Sequence, residues 1–472
     1  MISLGLLKTE LLLCALVGIL FVVDIFTDKK RVLNYIAVAG SFAILVSSFF
    51  FKDTGTTFFG MFVSDGLSSF FKTLFLVNLF LISASSLNYI KKEQRFPGEY
   101  FILLVSATLG MALLASSQEM ITFYISLELL SISSYILASY ERTSARSTEA
   151  GMKYLLLGAM ASGILLFGIS LVYGATGTLH FQEIARSAVL QDPPAILTLG
   201  LVLILAALSF KIAVVPFHMW VPDVYEGAPT PVAAFFSVAT KMAGFALVIR
   251  LFTGPFGALT PKWGALMAMI SAVTMIVGNL LAIPQTNIKR FMGYSGIAQA
   301  GYIIMGIAMA SGKGLGSAVF YLVAYLFSNL AAFIVIIIFS AKTGDDTIEA
   351  YRGLSRRSPG LAFALLIALM SLGGVPPLAG FLGKLYIFSA AVEQGYMWLV
   401  VLGVLMSVVS IYYYLMILKR AYIDAPVDAS PISFSALEKF AITVSVAGTI
   451  IFGVYPQPLF DKIITIVQPF LK

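Results

Sequence analysis

Four ionisable side chains stand well inside stretches composed for lipid: Glu128 in YISLELLSISSY, Lys211 in AALSFKIAVV, Lys241 in FSVATKMAGF and Lys384 in AGFLGKLYIF. A lysine at mid-bilayer costs roughly 2.5–3.5 kcal/mol on insertion scales, so three together approach about 10 kcal/mol, comparable to the net stability of a whole domain. Such residues are expected to face the interior of a helix bundle, with Glu128 paired to a lysine of a neighbouring helix and water threading between them. Burial disfavours the charged form of any lysine, and an approaching carboxylate favours it. A lysine under both influences gains or loses a proton as its partner moves, which is what a proton relay requires. The plainer reading is a static pair that fixes helix packing.

Weaker candidates surround these four. His218 follows Lys211 by seven residues, about two helical turns on one face, and as neutral imidazole it can pass a proton or polarise water. It can equally bond a carbonyl freed by the neighbouring Pro216 or Pro222. Glu149 and Lys153 make an i, i+4 pair in the favourable order, worth only about 0.3–0.5 kcal/mol when exposed; a surface pair and a point of proton uptake fit it equally. Lys72, near one end of its span, is expected to snorkel to the interface and takes no role. Tyr412, Tyr413 and Tyr414 read as interfacial anchors or packing. The stretch GKGLGSA at 312–318 has the look of a phosphate loop but follows no strand, and is set aside.

The elements that must position these groups are set by composition. Of 472 residues 59% are hydrophobic and 11% charged, which excludes a soluble core with a charged shell and gives a polytopic membrane protein. The +7 net charge does not point to nucleic acid, because the basic residues sit in short runs between apolar segments, where they report orientation. One cysteine, Cys14, cannot make an internal disulfide, and with only two histidines the chain lacks the ligands an iron–sulfur cluster needs, so no cofactor or metal is expected in it. The N-terminal MISLGLLKTELLLC has neither the basic region nor the cleavage site of a signal peptide, so the first span is expected to be retained.

Segments of about 20 apolar residues cross a bilayer as helices. Fourteen are expected, at 4–23, 33–51, 67–90, 100–117, 120–140, 150–173, 196–221, 230–252, 263–283, 294–310, 317–341, 360–391, 396–418 and 437–455. Alternate loops collect the basic residues: Lys29, Lys30 and Arg31, then Lys91, Lys92 and Arg95, Arg142 and Arg146, Lys289 and Arg290, Lys342 with Arg352, Arg356 and Arg357, and Lys419, Arg420 and Lys439. The opposite loops hold only Lys8, Lys52, Arg186, Arg250, Lys262, Lys313, Lys462 and Lys472. The positive-inside rule then places both termini outside. The seventh span is interrupted by Pro216 and Pro222, the twelfth by Gly373, Gly374, Pro376 and Pro377. Proline frees backbone groups that lipid cannot satisfy, so each break must face protein or water. An odd offset of five helices sets the two breaks in opposite directions, the pattern of inverted repeats with discontinuous helices at mid-membrane. The fold class is therefore all-α, with about 14 transmembrane helices, two inverted five-helix repeats and discontinuous helices 7 and 12. The units are expected at 1–99 for helices 1–3, 100–252 for the first repeat, 263–420 for the second, and 437–472 for helix 14 and the tail.

The stretches SLELLSISSYIL, EAGMKYLLLGAMASGILLFGISLVYGATG, KIAVVPFHMWVPDVYEGAPTPV, KRFMGYSGIAQAGYI, YLVAYLFSNLAAF and GGVPPLAGFLGKLYIF resemble the antiporter-like membrane subunits of proton-pumping NADH–quinone oxidoreductase, complex I. The likeness covers helices four to thirteen in order. Lysine rather than glutamate at 384 disfavours the M type, and an end soon after the fourteenth span lacks the lateral helix of the L type, leaving the N type. The resemblance implies that Glu128 is the acidic partner, Lys211 the lysine before the first break, Lys241 the central lysine and Lys384 the terminal relay lysine, with Glu149, Lys153 and His218 at positions the family keeps polar. It implies a bacterial inner-membrane location, other membrane subunits of the complex and the lipid bilayer as partners, and no nucleic acid; FMN, iron–sulfur clusters and quinone would belong to other subunits. The thirteenth span has no counterpart of Lys241, so a second-repeat path must lean on Lys384, tyrosines, serines and water. Rival readings are a subunit of a multi-subunit cation/proton antiporter, a related hydrogenase-linked or photosynthetic complex, and a structural spacer whose charges are static. Lys211→Met together with Glu128→Gln separates the last: a spacer stays active in a proton-uptake assay, a conductor is impaired.

Overall fold

The computed structural model describes residues 3–27, 31–51, 53–93, 96–188, 195–426 and 428–471. Lys29, Lys30, Lys52, Arg95 and Lys472, counted above among the loop charges, lie outside the described residues. Every expected span becomes a helix or a pair of half-helices. They are α1 (Lys8–Phe26), α2 (Arg31–Ser48), α3 (Gly66–Glu93), α4 (Pro97–Ser116), α5 (Met120–Ala138), α6 (Ala145–Thr176), α7 in two halves (Ala195–Lys211 and Trp220–Gly227), α8 (Thr230–Thr253), α9 (Thr260–Ala282), α10 (Ile288–Ala308), α11 (Gly312–Thr343), α12 in two halves (Pro359–Gly373 and Ala379–Glu393), α13 (Met397–Tyr422) and α14 (Ala436–Val454). A small antiparallel hairpin, β1 (Gly55–Thr57) and β2 (Phe62–Ser64), joins α2 to α3.

Ten of these helices are long and apolar enough to cross a membrane unaided. The exceptions have physical reasons. Helix α2 is short, α7 and α12 are broken, and α10 carries Ser295, Gln299 and Tyr302 in its middle. That polar helix persists because its neighbours bury it almost entirely. Helices α8 and α11 share the centre with it, buried along nearly their whole lengths. Outer helices turn apolar side chains outward, among them Ile125 and Ile132 of α5, Met160 and Phe167 of α6 and Val408 of α13. Apolar side chains cover the outside and the polar ones within the spans turn inward, the arrangement a bilayer selects. Helices α6 and α7 touch through Gly168 and Gly200, where an added Cβ on either would stand 3.0 Å from the other's carbonyl oxygen.

Both breaks bond freed backbone groups to other parts of the protein. The first half of α7 stops at Lys211, Ala213 takes a left-handed φ of 62°, and the Val215 amide donates to Thr274 Oγ1 of α9 at 3.1 Å. The indole of Trp220, opening the second half, donates to the Phe210 carbonyl at 2.9 Å. In α12 the first half ends at Gly373 and is capped by Gly374, whose φ of 85° suits glycine alone. Ser371 Oγ then accepts from the Gly380 amide at 3.0 Å and meets Ser328 Oγ of α11 at 2.8 Å.

Two charged pairs overturn a loop or interface reading. Lys72 does not snorkel: it is 5% exposed and pairs with Glu10 of α1 at 2.7 Å, because α1 and the hairpin wall it from the interface. Arg250, counted with the outer loops, is buried at the end of α8 and makes two 3.0 Å bonds to Asp65. Asp65 also caps α3, accepting from the Ser68 amide at 2.8 Å while Ser68 Oγ accepts from the Asp65 amide at 2.9 Å. Burial acts to raise the Asp65 pKa, but the Arg250 charge and hydrogen bonds with Ser68 overrule it and hold the carboxyl below the ordinary value of 3.8. The pair therefore stabilises the fold fully above that value and loses its contribution as pH falls through the lower folded value. Asp65→Asn, which strands a buried guanidinium, is expected to cost about 3–5 kcal/mol, and Asp65→Asn with Arg250→Met much less. Thermal unfolding of the purified protein in detergent checks both; equal melting of the single variant and the parent would remove the pair from the stabilising contacts.

Candidate functional site

Lys211 is the last residue of its half-helix, at the negative, carbonyl end of that segment. The side chain is 3% exposed; Nζ donates to Ser131 Oγ of α5 at 3.0 Å and faces the Tyr154 ring at 6.0 Å. The expected direct pair with Glu128 is not formed. Glu128 Oε1 instead accepts from Ser162 Oγ of α6 at 2.5 Å. Ser131 sits one turn beyond Glu128 on the same face of α5, so a hydroxyl stands where ion-pair contact was expected.

Lys384 reaches a carbonyl end by a different route. It lies in the second half of α12, and its Nζ returns across the break to the carbonyls of Leu372 at 3.1 Å and Gly373 at 3.2 Å, with the Tyr302 ring 4.6 Å away. Hydrogen bonds from a charged donor are each worth about 1.5–3 kcal/mol, which offsets most of the burial cost of one lysine.

Lys241 differs from both. It follows a π-helical turn, Phe236–Thr240, in an otherwise regular α8. Its Nζ, 2% exposed, has no protein hydrogen-bond partner among the described residues. Around it stand the phenol oxygens of Tyr225 and Tyr325, also unpartnered, with the Tyr225 ring 6.0 Å from Nζ. Gly296 of α10 makes the room: an added Cβ would come 2.6 Å from Lys241 Nζ and 2.9 Å from Tyr325 Oη. Buried polar groups without protein partners take water, so these three are expected to share it.

Polar and aromatic groups join the lysines in sequence. The Lys211 stem lies 3.6 Å from where a Gly244 Cβ would sit, one turn from Lys241 on α8. Tyr154 stacks on Trp220 at 4.3 Å and 7°, and Trp220 meets Tyr225 edge-on at 6.3 Å. Beyond Gly296, Ser295 Oγ and Tyr414 Oη are 2.5 Å apart. Gln299 Nε2 donates to the Leu372 carbonyl at 3.0 Å, the same carbonyl that holds Lys384, while the Tyr321 hydroxyl donates to Gln299 Oε1. Among the described residues no group of three His, Cys, Asp or Glu side chains is placed to hold a metal ion.

His218 is not two turns from Lys211, because the helix ends at Lys211 and resumes only at Trp220. It lies half-buried in the break with Nδ1 unpartnered. Lys153 pairs with Glu149 at 2.8 Å as the spacing predicts, and also with Asp223 at 2.8 Å. Asp223 in turn meets Arg290 of α10 at 2.5 Å, and Arg290 meets Glu226 at 3.1 Å. A cavity of about 240 Å³ opens among Arg146, Glu149, Lys153, Asp223, Glu226 and Arg290.

Sequence reasoning missed Asp223 and left the three tyrosines between anchoring and packing. Tyr412 is 57% exposed, as an anchor should be, whereas Tyr413 and Tyr414 are buried and hydrogen-bonded, Tyr413 to Asn279 at 2.9 Å. The 3–4 spacing of Ser295, Gln299 and Tyr302 in α10, and of Tyr321, Tyr325 and Ser328 in α11, was the available signal for a polar face.

Residues 117–410 match the model of the family described as NADH:quinone oxidoreductase/Mrp antiporter, TM. Over 97% of both chains, 44% of residues are identical to NADH-quinone oxidoreductase subunit N of Moorella thermoacetica. A chain of respiratory complex I from Thermus thermophilus with bound aureothin matches at a TM-score of 0.83 and 31% identity, over 96% of this chain and 99% of that one. A chain of the Mrp complex from Dietzia sp. DQ12-45-1b matches at a TM-score of 0.90 and 21% identity, over 100% and 98%, a likeness of fold alone. The closeness at Gly296 can be tested directly. Gly296→Ala keeps a good helix former in α10 and is expected to displace Lys241 Nζ and Tyr325 Oη; a high-resolution structure of the variant with both atoms unmoved would show that the gap is not needed.

Proposed function

The chain belongs to the NADH:quinone oxidoreductase/Mrp antiporter family, among the NADH-quinone oxidoreductase subunits N, and on that premise we propose that it is a proton-translocating membrane subunit of the complex, resident in a bacterial inner membrane with both termini outside. Its partners are the other membrane subunits. Electron transfer belongs to those other chains, since one cysteine and two histidines give this one too few ligands for a redox centre. Helices 4–8 and 9–13 act as two inverted units, 100–252 and 263–420, each contributing one broken helix to the path.

The observation that carries this reading is the placement of Lys211, Lys241 and Lys384. Each is at most 3% exposed, none faces lipid, and hydroxyls, phenols and carbonyls fill the intervals between them. In the proposed sequence, quinone reduction elsewhere shifts a charge that perturbs Glu128. Lys211, linked to Glu128's helix face through Ser131, changes its hold on a proton, and the change passes through Tyr225 and water to Lys241. From there Tyr325, Tyr414 and Gln299 lead to Lys384, which releases outward. Lys241 needs no fixed partner, because a group that must accept and give up a proton is best held among orientable hydroxyls. Glu149, Lys153 and His218 lie off the row and serve the uptake side.

Lys211→Ala, Glu128→Ala and Lys384→Ala are each expected to lower proton pumping and coupled quinone reduction about tenfold while assembly persists. The rates of proton uptake and of NADH oxidation by inside-out vesicles, compared at equal content of assembled complex, read this out. Rates equal to the parent's in all three variants refute the relay.

A further inference from the structure

We infer that Asp223, bridging Lys153 and Arg290, is a positioning residue that latches the second half of α7 over the uptake side of Lys211. The inference rests on the relay reading above.

That half-helix has eight residues, too few to hold its own place or shape. Its position is set by contacts at its two ends. At one end Asp223 spans from Lys153 of α6 at 2.8 Å to Arg290 of α10 at 2.5 Å, and Glu226 adds a second bond to Arg290 at 3.1 Å. At the other, Trp220 donates to the Phe210 carbonyl at 2.9 Å and stacks on Tyr154, whose ring faces Lys211. The two sets of contacts are in register. Lys153 and Tyr154 are consecutive on α6, while Trp220 and Asp223 are one turn apart on the half-helix. Movement that parts Asp223 from Lys153 therefore also draws Trp220 off Tyr154 and off the Phe210 carbonyl, next to Lys211. The cavity of about 240 Å³ beside the ion pairs is polar and roomy enough to hold water at this end of the path.

Exposure decides whether the contact is a clamp or a latch. The Asp65–Arg250 pair has a carboxylate 27% exposed but a guanidinium only 2% exposed, and two parallel bonds to that buried group hold it fast. The Lys153, Asp223 and Arg290 side chains are 43%, 32% and 30% exposed, so water replaces their bonds at little cost. The arms also sit where they attract acid. Lys289 and Arg290 occupy the positive end of α10, which Asn287 caps, and a carboxylate there relieves an unfavourable concentration of positive charge.

The test uses the complete complex in inside-out vesicles, with Cys14→Ser, Lys153→Cys and Asp223→Cys in this subunit and a short, reducible bis-methanethiosulfonate to join the two thiols. Locking the latch is expected to lower NADH-driven proton uptake about tenfold relative to the same vesicles without reagent, and reductive cleavage to restore it. Unchanged uptake with the bridge formed overturns the latch. Should that pair fail to assemble, Asp223→Cys with Arg290→Cys locks the other arm and is read the same way. Lys211→Ala run in parallel separates the two claims: its loss of pumping beside an unaffected bridged sample overturns the latch alone, whereas its retention of pumping removes the relay on which the latch rests.

Discussion

Three ammonium groups must be kept inside a medium that dissolves none, and the rest of the fold is arranged around that requirement. Continuous helices offer no free acceptor at mid-membrane, since each carbonyl is bonded to the amide four residues on. Breaking a helix exposes carbonyls without exposing them to lipid. Lys384 uses such an end by folding back onto Leu372 and Gly373, whereas Lys211, the last residue of its half-helix, is held by the Ser131 hydroxyl. The prolines, the left-handed Gly374 and the serines that collect the loose amides are consequences of that need.

The charged contacts form a gradient of permanence that follows burial. Asp65 and Arg250 bind α3 to α8 with two bonds to a buried guanidinium, the carboxylate itself 27% exposed, and Glu10 with Lys72 ties α1 to α3 with both side chains buried. Toward the ends of α6, α7 and α10 the pairs are half-exposed and shared among several partners. Rigid joints thus lie away from the lysine row, and the compliant ones adjoin it.

Much of the architecture was legible because a bilayer writes strong rules into sequence. Runs of about 20 apolar residues gave all fourteen helices to within a few residues, and Pro216 and Gly373 to Pro377 located both breaks. The burial of Lys211, Lys241 and Lys384 followed from cost alone. Detail below the helix was not legible. A direct Glu128–Lys211 pair was the economical guess, but two serines of ordinary composition intervene, and nothing in a run such as SLELLSISSY says which hydroxyl points where. The His218 spacing assumed an unbroken helix through a segment whose prolines already argued against one. Asp223 fell just past the expected span at 196–221, and only tertiary packing sets Lys153 and Arg290 on either side of it. Lys72 looked able to reach the interface because its acidic partner is 62 positions away, on another helix.

The wide turn at Phe236–Thr240 has its own implication. A π turn carries one surplus residue, and sliding that surplus by a single position swivels the side chain it passes by about 100° while both helix ends stay fixed. Lys241 is the first residue beyond it, with Tyr225 and Tyr325 on different neighbouring helices. Its ammonium can therefore change the phenol it addresses by a shift in backbone winding, inside a helix whose outer surface, packed on every side, never has to rearrange.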